Sequence, residues 1–181
     1  MGCLGFVFFY IFDLNKIVFI HKNINLSFAA GVIILAASTV GILCGDYQAF
    51  DLPGWLRWIF SLMAMMALLL MIYSLFFALP FLETYVVSES GRLVDTGMYA
   101  LCRHPGVIWF FFLYLFLWLA SGKTMMMWAG TVWTIMDIIH VYVQDRWLFP
   151  KNLPGYDQYK NEVPFLIPNQ SSIRKSISSF I

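Results

Sequence analysis

The chain has 181 residues, of which 61% are hydrophobic and 12% charged, with a formal net charge of +1. About 25% of the residues of an ordinary soluble domain are charged, so this composition excludes a water-soluble globule and places the chain among membrane proteins. No clustered basic face supports nucleic-acid binding, and Cys3, Cys44 and Cys102 have neither disulfide parity nor metal-ligand spacing, so no metal is expected.

Taken in order, Gly2 to Phe12 is apolar but short, and Asp13, Asn15 and Lys16 interrupt it before Ile17 to Ile20. A span needs about 20 apolar residues, which leaves a compromised first span or an interfacial segment, with the span preferred. The segment lacks the cationic start and cleavage site of a signal peptide, and Phe6 breaks the myristoylation pattern. After a short polar loop, His21 to Asn25, the stretch Leu26 to Cys44 is a membrane helix whose Ala29, Ala30, Gly31, Ala36, Ala37 and Ser38 permit close helix packing. A turn-rich connection, Gly45 to Gly54, leads to a further span, Trp55 to Leu79, closed by Pro80. Its methionines are read as packing or lipid-facing residues.

Phe81 to Thr96 is the one substantial loop, and its Tyr85-Val86-Val87 and Arg92-Leu93-Val94 flank Ser88 to Gly91 as a short hairpin does. It leads to Gly97-Met98-Tyr99-Ala100-Leu101-Cys102-Arg103-His104-Pro105, a polar stretch between long apolar ones. Proline is favoured as the first residue of a helix, so Arg103 and His104 are expected at a helix N-terminus, where free N–H groups and the helix dipole attract anions. Arg103, with its planar fork, is the leading partner for a carboxylate or phosphate. Gly106 to Ala120 then forms a helix, Ser121-Gly122-Lys123 a tight reversal, and Met125 to Leu148 the last span. This hairpin should bring Arg103 and His104, which begin one arm, to Asp145, which ends the other.

In the last span Asp137, His140, Gln144 and Asp145 fall on one broad helical face. An aspartate near the middle of a span costs about 2.5–3.5 kcal/mol, which makes Asp137 a functional candidate. Interhelical hydrogen bonding by a protonated or paired Asp137 is the equal alternative.

Thr96-Gly97-Met98-Tyr99, Arg103-His104-Pro105, Gln144-Asp145-Arg146-Trp147-Leu148 and Tyr156-x-x-Tyr159-x-x-x-Val163-Pro164-x-x-Ile167-Pro168 form an ordered series. Over 86–168 it resembles the signature of the isoprenylcysteine carboxyl methyltransferase family and its phospholipid methyltransferase relatives. Val107, Trp109 and Gln144 stand where that family has Tyr, Gly and Glu. The resemblance implies an S-adenosylmethionine-dependent methyltransferase with a lipid-borne or amphiphilic acceptor, and a single domain over residues 1–168. It implies catalytic roles for Arg103 and Asp145, and cofactor contacts for Tyr99, His104, Pro105, Gln144, Tyr156, Tyr159, Val163 and Pro164. Membrane sterol and enone reductases that use NADPH are similar in this half, and a non-enzymatic protein retaining the fold is a third reading. Gly106 is expected to leave room near the helix terminus.

Prolines at 150, 154, 164 and 168 keep Phe149 to Pro168 from being one helix and make it a cap over the helix ends. For Tyr156 and Tyr159, interfacial anchoring and ligand contact stand side by side. Residues 169–181 are expected to be a flexible or membrane-skimming tail. Of the 11 lysines and arginines, only Arg57 and Lys123 fall on one side of the expected topology, which puts the signature in the cytoplasm. The fold expected is an all-α polytopic membrane bundle of about five transmembrane helices, four if the first segment does not span, with a cytoplasmic cap. Its partners are then the lipid bilayer and an amphiphilic substrate.

Overall fold

Backbone groups in lipid have no water to bond, so an apolar chain satisfies them internally by forming helices. The structure, a computed structural model, describes residues 1–16, 22–78 and 93–179. Helix α1 covers Gly2–Leu14, a 3-10 turn Lys22–Asn25, α2 Leu26–Cys44, and α3 Gly54–Ile72 with a π-helical turn at Tyr73–Phe77. Then come α4 (Met98–Leu101), α5 (Pro105–Ser121) and α6 (Thr124–Val143), the last prolonged by a π-helical turn at Gln144–Leu148. Helices α7 (Phe149–Asn152), α8 (Tyr156–Glu162) and α9 (Gln170–Ser178) follow. No sheet occurs among the described residues. The hairpin expected around Ser88 to Gly91 lies outside the described residues, as does Ile17 to Ile20.

Three helical stretches, Leu26–Cys44, Gly54–Phe77 and Thr124–Asn152, are long and apolar enough to cross a membrane, while Gly2–Leu14 and Pro105–Ser121 are apolar but shorter. At about 1.5 Å per residue the 17 residues of α5 extend about 26 Å, just short of a hydrocarbon core of about 30 Å. The chain is therefore an all-α membrane helix bundle. Its contacts cluster into two compact units, one of Met1–Leu69 with Phe110–His140 and one of Leu70–Trp109 with Val141–Ile181.

In the first unit the core is Phe6, Leu35, Ile42, Tyr114, Met126, Ala129 and Trp133. Helices α1 and α2 meet at Gly5 and Gly31, so closely that a Cβ on Gly31 would stand 2.8 Å from the Gly5 carbonyl oxygen. Of the small residues expected to allow packing, Gly31 is the one buried there. Tyr114 and Thr39 share a hydroxyl hydrogen bond of 2.8 Å. The α5–α6 reversal turns on Gly122, whose φ of +70° is left-handed. Lys123 donates to the carbonyls of Leu43, at 2.7 Å, and Gly45, closing the C-terminus of α2. Trp58, Leu62 and Leu69 on α3, with Trp128, Ile135 and Ile139 on α6, are exposed, as helix faces in contact with lipid require.

In the second unit Tyr156, Tyr159 and Val163 form a buried cluster with Leu93, Phe149 and Leu153 against it. Residues 170–178, expected in a flexible or membrane-skimming tail, are not frayed but a helix with a capping box, Asn169 Oδ1 accepting from the Ser172 N–H at 2.8 Å.

Candidate functional site

The segment that leads into α5 is held residue by residue. Gly97, at φ +60°, precedes α4. The Tyr99 hydroxyl donates to the Ser74 carbonyl at 3.0 Å, and the Tyr99 carbonyl accepts from the Tyr159 hydroxyl at 2.7 Å. Cys102 is extended and fully buried. The Arg103 N–H donates to the Pro164 carbonyl at 3.0 Å, joining the two halves of the signature through the backbone. Pro105 opens α5, as its missing N–H favours.

Asp145 enters from the π-helical turn at the end of α6, and its side chain is 6% exposed. Its Oδ1 accepts from the Tyr156 hydroxyl at 2.6 Å and faces Arg103 Nη1 at 3.3 Å and His104 Nε2 at 3.4 Å. Oδ2 faces Lys160 Nζ at 3.4 Å. One buried carboxylate thus stands among a guanidinium, an imidazole, an ammonium and a phenol. Such a buried acid is sustained only by partners of this kind. Around them the His104 ring stacks on Phe149 and meets Phe165 edge-on, with centroids 5.9 and 5.0 Å away, and the Arg103 guanidinium lies 5.5 Å from the Phe165 centroid.

Arg103 is not satisfied by this arrangement. Its side chain is 8% exposed, yet buried Nε and Nη1 have no hydrogen-bond acceptor among the described residues. The Nη1 approach to Asp145 is an ion pair lacking hydrogen-bond alignment. Two buried N–H groups of a cation are costly to leave unmade, and they belong to a planar guanidinium, a group suited to carboxylates and phosphates.

Titration outside the spans follows burial. It pushes the Cys102 thiol up to about 11, against a backbone hydrogen bond from His104 that favours the thiolate. Burial, then the hydrogen bond to Asp145, raises the Tyr156 phenol above its ordinary range; Tyr159 is raised chiefly by burial. Both phenols remain protonated donors.

The structure brings together Arg103, His104, Asp145 and Tyr156, with Tyr99, Tyr159 and Pro164 in the layer that supports them. Val163 and Pro105 are buried, and Gln144 is half-buried on the π-helical turn. Tyr156 and Tyr159, at 3% and 5% exposure, are core residues and not interfacial anchors. The room expected at Gly106 is filled: a Cβ there would lie 3.2 Å from Leu75 Cδ2. Lys160 was not foreseen, although its spacing of four residues from Tyr156 puts both on one face of α8.

The acidic face expected on α6 divides. His140, in the first unit, is buried against Asp13 of α1, Nε2 to Oδ2 at 2.8 Å, with Phe9 stacked on its ring and Tyr10 edge-on. Asp137 is half-buried and makes no hydrogen bond or ion pair among the described residues. The same unit has a cleft of about 90 Å³ lined by Phe111, Tyr114, Trp118, Gly130 and Thr134 among others, which shares no residue with the Asp145 cluster.

No protein-family model, curated protein or solved structure matches the chain.

Proposed function

We propose that the protein is an integral membrane S-adenosylmethionine-dependent methyltransferase acting on a lipid-borne or amphiphilic acceptor of the isoprenylcysteine carboxylate kind. The observation that carries the reading is the Arg103 side chain, buried beside Asp145 with Nε and Nη1 lacking acceptors. The cofactor's methionine end is a zwitterion, and this cluster offers opposite charges to it. Arg103 would hold the carboxylate. Asp145 Oδ2, whose 3.4 Å approach to Lys160 is longer than the roughly 2.8 Å of a charge-assisted hydrogen bond, retains capacity for the ammonium. A dinucleotide with several phosphates would call for more unpartnered cations than Arg103 provides.

S-adenosylmethionine supplies an electrophilic methyl group on a sulfonium, and the departing thioether needs no acid. The chain's residues therefore have three tasks. Arg103 and Asp145 bind and orient charge, because holding reactants in line is worth several kcal/mol of barrier. Phe149 and Phe165, packed on His104, exclude water from these charges. Tyr156 donates to Asp145 at 2.6 Å and fixes the orientation of its carboxyl group. The excess of lysine and arginine on the signature side supports a site facing the cytoplasm.

Transfer of labelled methyl from S-adenosylmethionine to a farnesylated cysteine in vesicles tests the reading. Label in the lipid fraction with wild type, and loss of it in Arg103→Lys, is expected. Consumption of NADPH with an enone would overturn it in favour of a reductase, and neither reaction by folded protein would favour a non-enzymatic role.

A further inference from the structure

Helix α9 has its polarity reversed. Ser172 and Ser176, one turn apart, are 2% and 6% exposed, whereas Ile173 and Ile177 are 43% and 59% exposed. A helix in water buries isoleucine and solvates serine; this one turns serine inward, and its isoleucines share the outer surface with Arg174. Ser172 Oγ donates to the Asn169 carbonyl at 3.0 Å within the capping box, and the contacts to the segment before α4 come from Ser176 and from Ser179, the exposed C-cap residue. Ser176 Oγ donates to the Gly97 carbonyl at 2.8 Å, and Ser179 Oγ accepts the Gly97 N–H at 2.8 Å. Lys175 pairs with Glu162 at 3.1 Å and Asp95 at 3.7 Å, so the flank beside the serines is tied down as well. The glycine held on both sides is the left-handed residue that starts the path to Arg103.

The structure also indicates what covers the isoleucines. Gly97 leads into Tyr99, whose hydroxyl bonds to the carbonyl of Ser74, in the π-helical turn that finishes the apolar stretch Gly54–Phe77. Helix α9 is therefore tied, through Gly97 and Tyr99, to the C-terminal end of a helix long and apolar enough to cross a membrane. Ile167, 84% exposed just before α9, adds a third apolar side chain, and exposed Arg174 suits lipid phosphate.

We propose that the outer face of α9, with Ile173 and Ile177, lies in the headgroup–acyl boundary of the protein's own bilayer, and that this contact positions the Arg103-bearing segment through the serine clamp on Gly97. This surface is independent of the methyltransferase reading and is tested without cofactor or substrate.

The experiment uses full-length protein with Cys3 and Cys44 replaced by serine and an environment-sensitive fluorophore on Ile173→Cys or Ile177→Cys. Vesicles of phosphatidylcholine and phosphatidylserine contain nitroxide lipids labelled near the headgroup or deep in the chain. Blue-shifted emission, quenched most by the shallow nitroxide and little by aqueous iodide, is expected. Water-like emission quenched by iodide would overturn the proposal. So would a probe shielded from both quenchers, which would mean that protein, such as a second copy, covers the face. For the coupling, Ile173→Asn/Ile177→Asn should speed hydrogen exchange at the Gly97 amide about tenfold, and Ser176→Ala should do so with the probe's depth unchanged. Unchanged exchange in both variants would reject the clamp as a link between bilayer and site.

Discussion

Asp13 and Asp137 both lie on apolar helices, yet Asp13 has an imidazole against it at 2.8 Å and Asp137 has no such partner among the described residues. Losing a buried hydrogen-bond partner costs about 1–3 kcal/mol. His140→Ala, which removes the 2.8 Å contact to Asp13, is expected to lower stability by about that amount, whereas Asp137→Asn should change it by less than about 1 kcal/mol. Unfolding in micelles separates the two, and equal losses would show that Asp137 has a structural partner after all. Cys102 offers a pH test at the same scale. Its folded-state pKa, raised from 9.0 to about 11, means that folding favours the neutral thiol. The stability it contributes is complete below 9.0 and is lost as the pH rises toward about 11. With Cys3 and Cys44 replaced by serine, the native protein should resist maleimide at pH 8 and react once unfolded. Rapid native labelling would contradict the burial of Cys102.

Helix boundaries show which signals the sequence carried openly. Pro105 marked the start of α5 through its own chemistry, and Gly122 marked the reversal because a positive φ suits glycine. Those two residues also sufficed to bring Arg103 and His104 to Asp145, so the charged centre of the candidate site was legible from chain direction alone. Less legible was anything dependent on a break in helical period. The π-helical turn at Gln144–Leu148 changes which side chains share a face, and an argument at 100° per residue could not foresee it. The Asp13–His140 pair joins residues 127 apart on different helices, a matter of packing that local pattern does not encode. Helix α9 was hidden by composition: serine is usually a solvated residue, and here Ser172 and Ser176 are buried, while Ser176 and the C-cap Ser179 bond to Gly97. Gly106 misled for the converse reason, since the space it opens is taken by Leu75.

For the whole molecule, the charge distribution predicts that the two ends of the spans differ in compartment. Asp51, in the connection before α3, and Asp157, on α8, are both exposed, so cysteines there report topology at the cost of no more than the exposed 3.2 Å ion pair of Asp51 with Arg57. In oriented vesicles a membrane-impermeant maleimide should label Asp157→Cys from the cytoplasmic side and Asp51→Cys from the other; labelling of both from one side would refute the orientation. The proposed activity turns on a single demand, the buried and unsatisfied Arg103 guanidinium beside Asp145. Calorimetry on the purified protein with S-adenosylmethionine, its demethylated product and NADPH measures that demand most directly. Arg103→Lys keeps the charge and removes the planar fork, so the account predicts at least about tenfold weaker binding of the two sulfur cofactors, an unchanged unfolding temperature, and no NADPH binding in either protein. Equal cofactor affinity in wild type and Arg103→Lys, or tighter binding of NADPH than of S-adenosylmethionine, would contradict it.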